Sequence, residues 1–286
     1  ASTCAPGQRA LAPRCEATPL PPARPPPRHL HFLAGRVPTA DMKLRVGPLV
    51  ATWYAASIAA IWTAKIVLQE LACPATLAAV QFAVAAAGTR CLLPSSSRGP
   101  LSDVELRAVR GVSLTYTLGF LLTNAAIAAA APSFVETVKA AEPLTTVALA
   151  GLVLGERERP ATLLALLPIV AGVATACSGG GAFSATGGAL ALASNVAFSG
   201  RAVLTKSLKR RHAGSPAARS DACLFYHVAR GGLLVLLPTA LILEARPLLA
   251  SAAGGSAAGA ARVACLFAAN GAAHALYNGV SFAVLA

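Results

Sequence analysis

Lys139 is the residue of this sequence that is best placed to do chemistry. It lies in an apolar run, with Glu136 three positions before it and Glu142 three positions after it. Residues three apart lie on roughly the same face of a helix, so the three charges are neighbours if the run is helical. Two interpretations follow. Lys139 forms a structural ion pair with one glutamate, or it binds an anion while the glutamates tune or gate the site.

Other basic residues also fall inside apolar runs. Arg201 has no acidic residue nearby in the sequence, which favours the anion-binding interpretation. Lys65 and Arg230 lie closer to the ends of their runs, from where long side chains can reach the membrane surface. A cation at the centre of a bilayer costs at least about 2.5–3.5 kcal/mol, so it lines a polar cavity or pairs with another group. Lys139 and Arg201 are therefore the first candidates for a binding site.

The elements that must position these cations are membrane helices. The 286 residues are 56% hydrophobic and only 12% charged, whereas soluble domains average about 25% charged residues. Eight apolar runs follow one another, each close to the roughly 20 residues of a membrane-spanning helix. We place these spans at 46–68, 73–93, 108–131, 133–154, 161–177, 187–208, 223–243 and 259–286. The predicted fold is an all-α membrane protein.

Residues 1–45 differ from the rest of the chain. They are rich in proline and arginine and poor in acidic residues, a composition that predicts a disordered leader rather than a packed core. Such a segment before the first apolar run is similar to an organelle transit peptide or its remnant. The alternative is a tail without a targeting role. The transmembrane domain is assigned to 46–286.

The net charge of +13 does not indicate nucleic acid as a partner. With eight spans, the amino terminus and the loops after the second, fourth and sixth spans share one side, and they hold most of the lysines and arginines. The opposite loops hold only Arg246 and Arg262. This is the positive-inside pattern, so the basic balance reflects membrane topology. We expect a lipid bilayer as partner and no nucleic acid.

The sequence favours neither an enzyme nor a metal or cofactor site. It contains no P-loop, no G-x-S-x-G motif and no metal-ligand spacing, and its seven cysteines form no C-x-x-C pair. His227 and His274 have no second histidine or carboxylate one helical turn away. A membrane histidine can relay protons or contact substrate, but we expect both of these to be satisfied by hydrogen bonds or to lie at the lipid interface.

A longer pattern around Lys139 carries a family resemblance. The stretch Ser133-Phe134-x-x-Thr137-x-Lys139-x-x-Glu142-Pro143, which follows Thr123-Asn124, resembles the third and fourth helices of plastid sugar-phosphate/phosphate translocators, in the drug/metabolite transporter superfamily. The similarity runs from about residue 48 to the end of the chain. Its other matches are Trp53-Tyr54 with Lys65, Ser194-Asn195-x-x-Phe198 with Arg201 and Lys206, and Leu276-Tyr277-Asn278.

The resemblance implies two inverted five-helix halves that exchange a phosphorylated sugar or C3 compound for inorganic phosphate across a plastid inner envelope or related plastid membrane. It also implies that Lys139 grips the phosphate. The other substrate-binding positions that it implies are Thr123, Arg201 and Tyr277. We assign gating or tuning roles to Glu136, Glu142, Lys65 and Lys206. A substrate-contacting histidine of the family falls on Phe120 here, which bears on the choice of cargo.

The end of the chain affects the expected helix count. When Asn124 is aligned with Asn278 as an internal repeat, Ala286 falls opposite Pro132. A Lys-Arg pair that completes the family's site would then lie beyond the chain, which leaves about eight helices of an expected ten. A bundle of this kind should hold its cations in a groove exposed on one flank.

Two alternative functions stay open at this point. One is a nucleotide-sugar or other organic-anion carrier of the secretory pathway, in a Golgi or ER membrane. The other is a truncated fragment that does not transport. A nucleotide-sugar carrier would be expected to lack the Lys-x-x-Glu-Pro arrangement, which favours phosphate exchange. The sequence does not specify which sugar phosphate is moved or how many copies assemble.

Overall fold

Eleven helices make up the secondary structure that the computed structural model describes, which covers residues 40–94, 101–178, 183–254 and 256–285. Most of the predicted leader lies outside these residues. Leu44–Ala286 form one compact unit. The helices are α1 (Ala40–Glu70), α2 (Pro74–Leu92), α3 (Asp103–Ala129), α4 (Pro132–Lys139), α5 (Glu142–Leu154), α6 (Pro160–Ala165), α7 (Leu167–Ser178), α8 (Ala185–Arg211), α9 (Pro216–Arg219), α10 (Asp221–Gly254) and α11 (Ala257–Leu285).

Local sequence signals begin and end several of these helices. Pro74, Pro132 and Pro160 stand in the first turns of α2, α4 and α6, where the N–H that proline lacks would have no helical partner. Ser102 begins α3 through a reciprocal capping box. Gly155 ends α5 with a φ of 67°, the left-handed conformation that glycine adopts readily. The starts of α2, α3, α4 and α6 and the end of α5 are therefore set by residues of the local sequence.

Each of the eight predicted spans is mostly helical in the described residues, and two of them contain a break. The fourth span divides into α4 and α5 after Lys139, and the fifth divides into α6 and α7 at Leu166. Each of these two spans was predicted as one apolar run, and the break within it is a finding of the structure. The predicted all-α membrane protein is confirmed, and its inverted repeat stays a prediction.

Five helical segments of the described chain are long and apolar enough to cross a membrane: Gly47–Glu70, Pro74–Leu92, Asp103–Ala129, Pro132–Leu154 and Asp221–Ser251. α8 and α11 are just as long, at 27 and 29 residues. Polar residues such as Asn195 in α8 and Asn270 in α11 lower the mean hydropathy of these two helices. Their polar faces are the first structural sign of an internal cavity.

The core forms around α3, which packs against α2, α4, α8 and α10. One buried cluster includes Phe82, Tyr116, Phe120, Phe198 and Leu236, and a second includes Val67, Leu77, Ile127, Val135 and Val138. Gly119 permits the close approach of α3 to α8, because a Cβ atom there would lie 2.7 Å from the Phe198 ring. The same cluster supplies the aromatic wall of the cavity described below.

The outer surface of the bundle is apolar. α5 and α6 contain no buried residue, and the side chains of Leu152, Leu234 and Ile242 are 84%, 79% and 79% exposed. A soluble protein rarely leaves so much apolar surface in water. These faces therefore suit contact with lipid acyl chains.

Ion pairs connect the basic loops on one face of the bundle. Glu156, between α5 and α6, pairs with Lys206 at 2.5 Å and with Arg210 at 2.6 Å, both near the end of α8. The loops after the fourth and sixth spans therefore lie on the same side, as the charge pattern predicts. At the end of α1 and in the first turns of α11, Glu70 pairs with Arg262 at 2.6 Å.

Candidate functional site

A cavity of about 560 Å³ lies among α1, α2, α3, the α4–α5 break, α8 and α11. Six residues that the sequence analysis assigned to the site line it together: Thr123, Glu136, Lys139, Glu142, Arg201 and Tyr277. Aromatic and amide side chains form much of the remaining wall: Trp53, Tyr54, Gln81, Tyr116, Phe120, Asn124, Phe198, His274 and Asn278. Residues far apart in the chain thus converge on one polar space inside an apolar bundle.

The break between α4 and α5 positions Lys139. Pro143 has no N–H to donate to the carbonyl group of Lys139 four residues before it, and its ring would clash there in a continuous helix. α4 therefore ends at Lys139, and α5 begins at Glu142. A helix C-terminus favours a cation and a helix N-terminus favours a carboxylate, so the break stabilises both charges where they stand.

Lys139 is held by neutral groups in the described structure. Its Nζ donates a hydrogen bond of 3.3 Å to Thr123 Oγ1 and lies 4.8 Å from the centre of the Phe198 ring. Among the described residues it forms no ion pair with Glu136 or Glu142. The structural ion pair considered from the sequence is therefore not formed, and the ammonium group remains available to an anion in the cavity.

Polar residues of α8 support the broken segment. Asn195 Nδ2 donates to the carbonyl oxygen of Val138 at 3.0 Å, in the last turn of α4, where the same oxygen also accepts from the N–H of Ala141 at 3.1 Å. The hydroxyl of Ser199 lies 2.6 Å from that of Thr145 and 2.9 Å from that of Thr146. These contacts satisfy buried polar groups at the break and fix α5 against α8.

Arg201 reaches the cavity from α8 and is stacked on aromatic rings. Its guanidinium carbon lies 5.5 Å from the centre of the Tyr116 ring and 5.9 Å from that of Phe198. Within the described part of the chain it has no ion-pair partner, and its Nε atom has no hydrogen-bond partner. Phe198 therefore contacts both cavity cations, and Lys139 and Arg201 present two positive charges to one space.

Lys65 and Lys206 lie outside the cavity wall. Lys65 Nζ donates to the carbonyl oxygens of Ile127 at 2.9 Å and Ala130 at 3.0 Å, where it stabilises the C-terminal end of α3. Lys206 lies on the loop face in its pair with Glu156. The structure thus brings together six of the eight assigned residues, and the roles of all eight stay predictions.

A chain of amide groups that the sequence analysis missed crosses the bundle beside the cavity. Asn124 Nδ2 donates to Gln81 Oε1 at 3.1 Å, and Gln81 Nε2 donates to Asn270 Oδ1 at 2.8 Å. Asn270 Nδ2 in turn donates to Thr63 Oγ1 at 2.9 Å. The contacts link α3, α2, α11 and α1. Isolated amides in otherwise apolar runs were the signal that could have revealed them.

His274 lies in the cavity wall rather than at a lipid interface. It is 1% exposed, and its ring centre lies 4.6 Å from that of Phe120 and 5.3 Å from that of Tyr277. Its Nε2 atom has no hydrogen-bond partner among the described residues. The expectation of a satisfied or lipid-facing histidine was therefore wrong, because the contacts of this ring come from other helices and from Tyr277.

Comparisons with known proteins agree with this geometry. The model of the Triose-phosphate Transporter family matches residues 44–286. Phosphoenolpyruvate/phosphate translocator 1, chloroplastic, of Oryza sativa subsp. japonica is 34% identical over 203 residues, which are 70% of this chain and 49% of the relative. The protein of the same name from Arabidopsis thaliana is 36% identical over 167 residues, 58% of this chain and 41% of the relative.

A third relative is named for a different cargo. The Triose phosphate/phosphate translocator, non-green plastid, chloroplastic, of Brassica oleracea var. botrytis is 35% identical over 167 residues, 58% of this chain and 42% of the relative. The chain spans about half the length of the curated relatives that it matches. Because the family model covers nearly all of the helical bundle, the chain belongs to the Triose-phosphate Transporter family.

Proposed function

We propose that this chain binds phosphate and phosphorylated organic acids or sugars and exchanges them across a plastid membrane. The observation that carries the proposal is the pair of cations, Lys139 and Arg201, which face one cavity of about 560 Å³ without an ion-pair partner in the described residues. Unpaired cations inside a membrane protein are expensive, so their retention points to an anion that visits the site.

The two cations suit a phosphate group in complementary ways. Lys139 is a compact positive charge, whereas Arg201 offers a planar set of N–H donors that can bind two oxygens at once. Charge-assisted hydrogen bonds of this kind are about twice as strong as neutral ones. Thr123 and Tyr277 add hydroxyl groups to the same wall. A dianion would thus find several donors at one place.

Exchange rather than one-way transport follows from the same charges. Without an anion, movement of the binding site between the two membrane faces would carry two cations through an apolar environment. A bound phosphate ester neutralises them. We propose that Glu136 and Glu142, which line the cavity, lower the affinity of the site for the bound anion enough for its release. The cost of the unloaded site thus favours return of the carrier with a second anion.

The names of the relatives suggest the class of cargo and the compartment. Two of them exchange phosphoenolpyruvate for phosphate and one exchanges triose phosphate for phosphate, and all three are chloroplastic by name. We therefore propose a C3 phosphate as the organic cargo and a plastid inner envelope or related plastid membrane as the location. A nucleotide-sugar carrier of the secretory pathway is disfavoured, because none of these three relatives is named for a nucleotide cargo.

Counter-exchange in liposomes tests the proposal. The chain is reconstituted with internal phosphate, and uptake of labelled phosphate, phosphoenolpyruvate, triose phosphate and a nucleotide sugar is followed. Protein-free liposomes and liposomes without internal anion are the controls. We expect phosphate uptake only when an internal phosphate compound is present. Uptake of the nucleotide sugar alone, or no exchange and no binding of any phosphate compound, would contradict the proposal.

A further inference from the structure

His274 differs from the polar residues beside it on α11. Asn270, His274 and Asn278 are four residues apart and so lie on one face of the helix. Both asparagines are satisfied: Asn270 Oδ1 accepts from Gln81 at 2.8 Å, and Asn278 Oδ1 accepts from Tyr116 at 2.8 Å. The Nε2 atom of His274 has no partner within the described chain. A stripe of three buried polar residues thus carries one unsatisfied atom, and that atom belongs to a residue of the cavity wall.

The surroundings of the imidazole are aromatic. Its ring centre lies 4.6 Å from that of Phe120 and 6.3 Å from that of Phe82, which are on α3 and α2. Packing alone would be served as well by phenylalanine, which leaves no polar atom unpaired. A buried polar group without a partner is destabilising, and an oxygen atom of a bound molecule that reached Nε2 would remove this penalty.

Within the aromatic wall of the cavity, His274 lies one ring further along than the two cations. Lys139 and Arg201 both contact the Phe198 ring, whereas His274 contacts Phe120, whose centre lies 5.1 Å from that of Phe198. A phosphate dianion is best stabilised by the two cations. The rest of a phosphorylated organic molecule would extend along the aromatic rings, where it needs a neutral hydrogen-bond donor for its oxygen atoms.

We propose that His274 Nε2 donates a hydrogen bond to an oxygen of the organic portion of the cargo and thereby distinguishes phosphorylated organic molecules from inorganic phosphate. This inference rests on the proposed function, because it assumes that the phosphate group of the cargo binds at Lys139 and Arg201. It assigns to His274 a contact with a carboxylate, carbonyl or hydroxyl oxygen.

Three substitutions separate the hydrogen bond from the packing. His274→Phe keeps an aromatic ring and removes both nitrogens, His274→Gln places an amide near the position of Nε2, and His274→Asn places it near that of Nδ1. His227→Phe is the matched control, because its Nε2 atom also has no partner in the described structure but His227 is not part of the cavity wall. All variants are first compared with the parent chain for thermal unfolding in detergent.

Binding is measured as the rise in Tm that inorganic phosphate, phosphoenolpyruvate, dihydroxyacetone phosphate or glucose 6-phosphate produces, and exchange is measured in liposomes. In His274→Phe we expect the apparent KM of the preferred organic phosphate to rise about tenfold, with that of inorganic phosphate nearly unchanged. His274→Gln should recover most of the loss and His274→Asn little. His227→Phe should behave as the parent chain.

The outcomes separate the two proposals. If His274→Phe binds every organic phosphate as the parent chain does, or loses inorganic phosphate equally, the assignment of His274 is wrong. Binding of an organic phosphate that depends on His274, without any exchange for phosphate, would support the imidazole contact and contradict the proposed function. If none of the probes stabilises the parent chain, both proposals are wrong.

Discussion

The cations on the loop face and the cations in the cavity are held in different ways. On the loop face, Lys206 and Arg210 share the carboxylate of Glu156 at 2.5 and 2.6 Å. In the cavity, Lys139 contacts a hydroxyl and an aromatic ring, and Arg201 stacks on two rings. The loop-face cations are therefore neutralised within the chain, whereas the cavity cations have no carboxylate partner among the described residues.

The difference shows that sequence distance to an acidic residue is a poor guide to pairing. Glu136 and Glu142 flank Lys139 at three positions on either side, yet neither forms an ion pair with it in the described structure. Glu156 is fifty residues from Lys206 and pairs with it. The end of α4 and the start of α5 stabilise Lys139 and Glu142 separately, so proximity in sequence does not compel a contact.

The largest expected difference in exchange is between the removal of Lys139 from the cavity and the removal of a paired surface lysine. Lys139→Ala should abolish phosphate exchange, since a charge-assisted contact to phosphate is worth about 1.5–3 kcal/mol, which is at least tenfold in affinity. Lys139→Arg should restore it only in part, because the longer planar group does not match the same position. Lys209→Ala, the matched control in a surface pair with Asp221, should leave exchange unchanged. Counter-exchange in liposomes measures all three, and exchange at the parent rate by Lys139→Ala would exclude Lys139 from the site.

The Phe198 ring, which contacts both cavity cations, can be displaced by a substitution on the neighbouring helix α3. A Cβ atom at Gly119 would lie 2.7 Å from the Phe198 ring, whereas nothing lies within 4 Å of a Cβ atom at Gly88. Gly119→Ala should lower stability by about 1–3 kcal/mol through overpacking and reduce exchange. Gly88→Ala should be neutral or stabilising by up to about 1 kcal/mol, because alanine favours a helix. Thermal unfolding in detergent measures both, and equal Tm values would show that α3 and α8 do not approach so closely.

A smaller effect on phosphate exchange is expected when the side chain of Arg201 keeps its charge but changes its shape. Arg201→Lys retains a cation but loses the planar stacking on Tyr116 and the paired N–H donors. The loss of a cation–π contact worth about 0.5–2 kcal/mol predicts a several-fold rise in the KM for phosphate. Arg262→Lys is the control, because Arg262 lies in a surface pair with Glu70. A larger effect at Arg262 than at Arg201 would reverse the comparison between surface and cavity cations.

The parts of this fold that the sequence predicted depend on local signals. Apolar runs mark the helices, and Pro74, Pro132 and Pro160 mark their starts, because the chemistry of both signals is contained within a few residues. Four of the six residues that gather in the cavity, Glu136, Lys139, Glu142 and Arg201, were found because charged groups are costly inside a membrane protein, whereas Thr123 and Tyr277 came only from the family resemblance. The family resemblance then suggested which of these residues bind substrate.

The parts that were missed depend on contacts between distant elements. Pro143 is visible in the fourth span, but proline is tolerated in membrane helices. The break after Lys139 also involves Asn195 of α8, whose amide donates to the carbonyl oxygen of Val138 in the last turn of α4. Glu244 lies just outside the seventh predicted span, which ends at residue 243. In the structure its carboxylate accepts hydrogen bonds from the N–H groups of Ala75 at 2.8 Å and Thr76 at 2.7 Å, at the start of α2. No local pattern encodes such a pair.

The smallest effect is expected at Glu156, where the loop-face cations are already paired. The hydrogen bond from Lys206, followed by that from Arg210, lowers the pKa of Glu156 below its usual value of 4.5. A carboxyl group with a lowered pKa stabilises the fold above its unfolded pKa and loses that contribution as the pH falls through its folded pKa. Because the pair is exposed to solvent, salt also screens it.

Glu156→Gln should therefore lower the Tm slightly near neutral pH and at low salt, by less than Gly119→Ala does. The difference from the parent chain should shrink in high salt and as the pH falls below 4.5, and it should disappear once the pH is below the lowered folded pKa of Glu156, where the parent carboxyl group is protonated as well. Phosphate exchange near neutral pH should be unchanged, since Glu156 is remote from the cavity wall. A loss of exchange comparable to that of Lys139→Ala would mean that the loop face and the cavity are coupled, and that their cations are not independent in the way the contacts indicate.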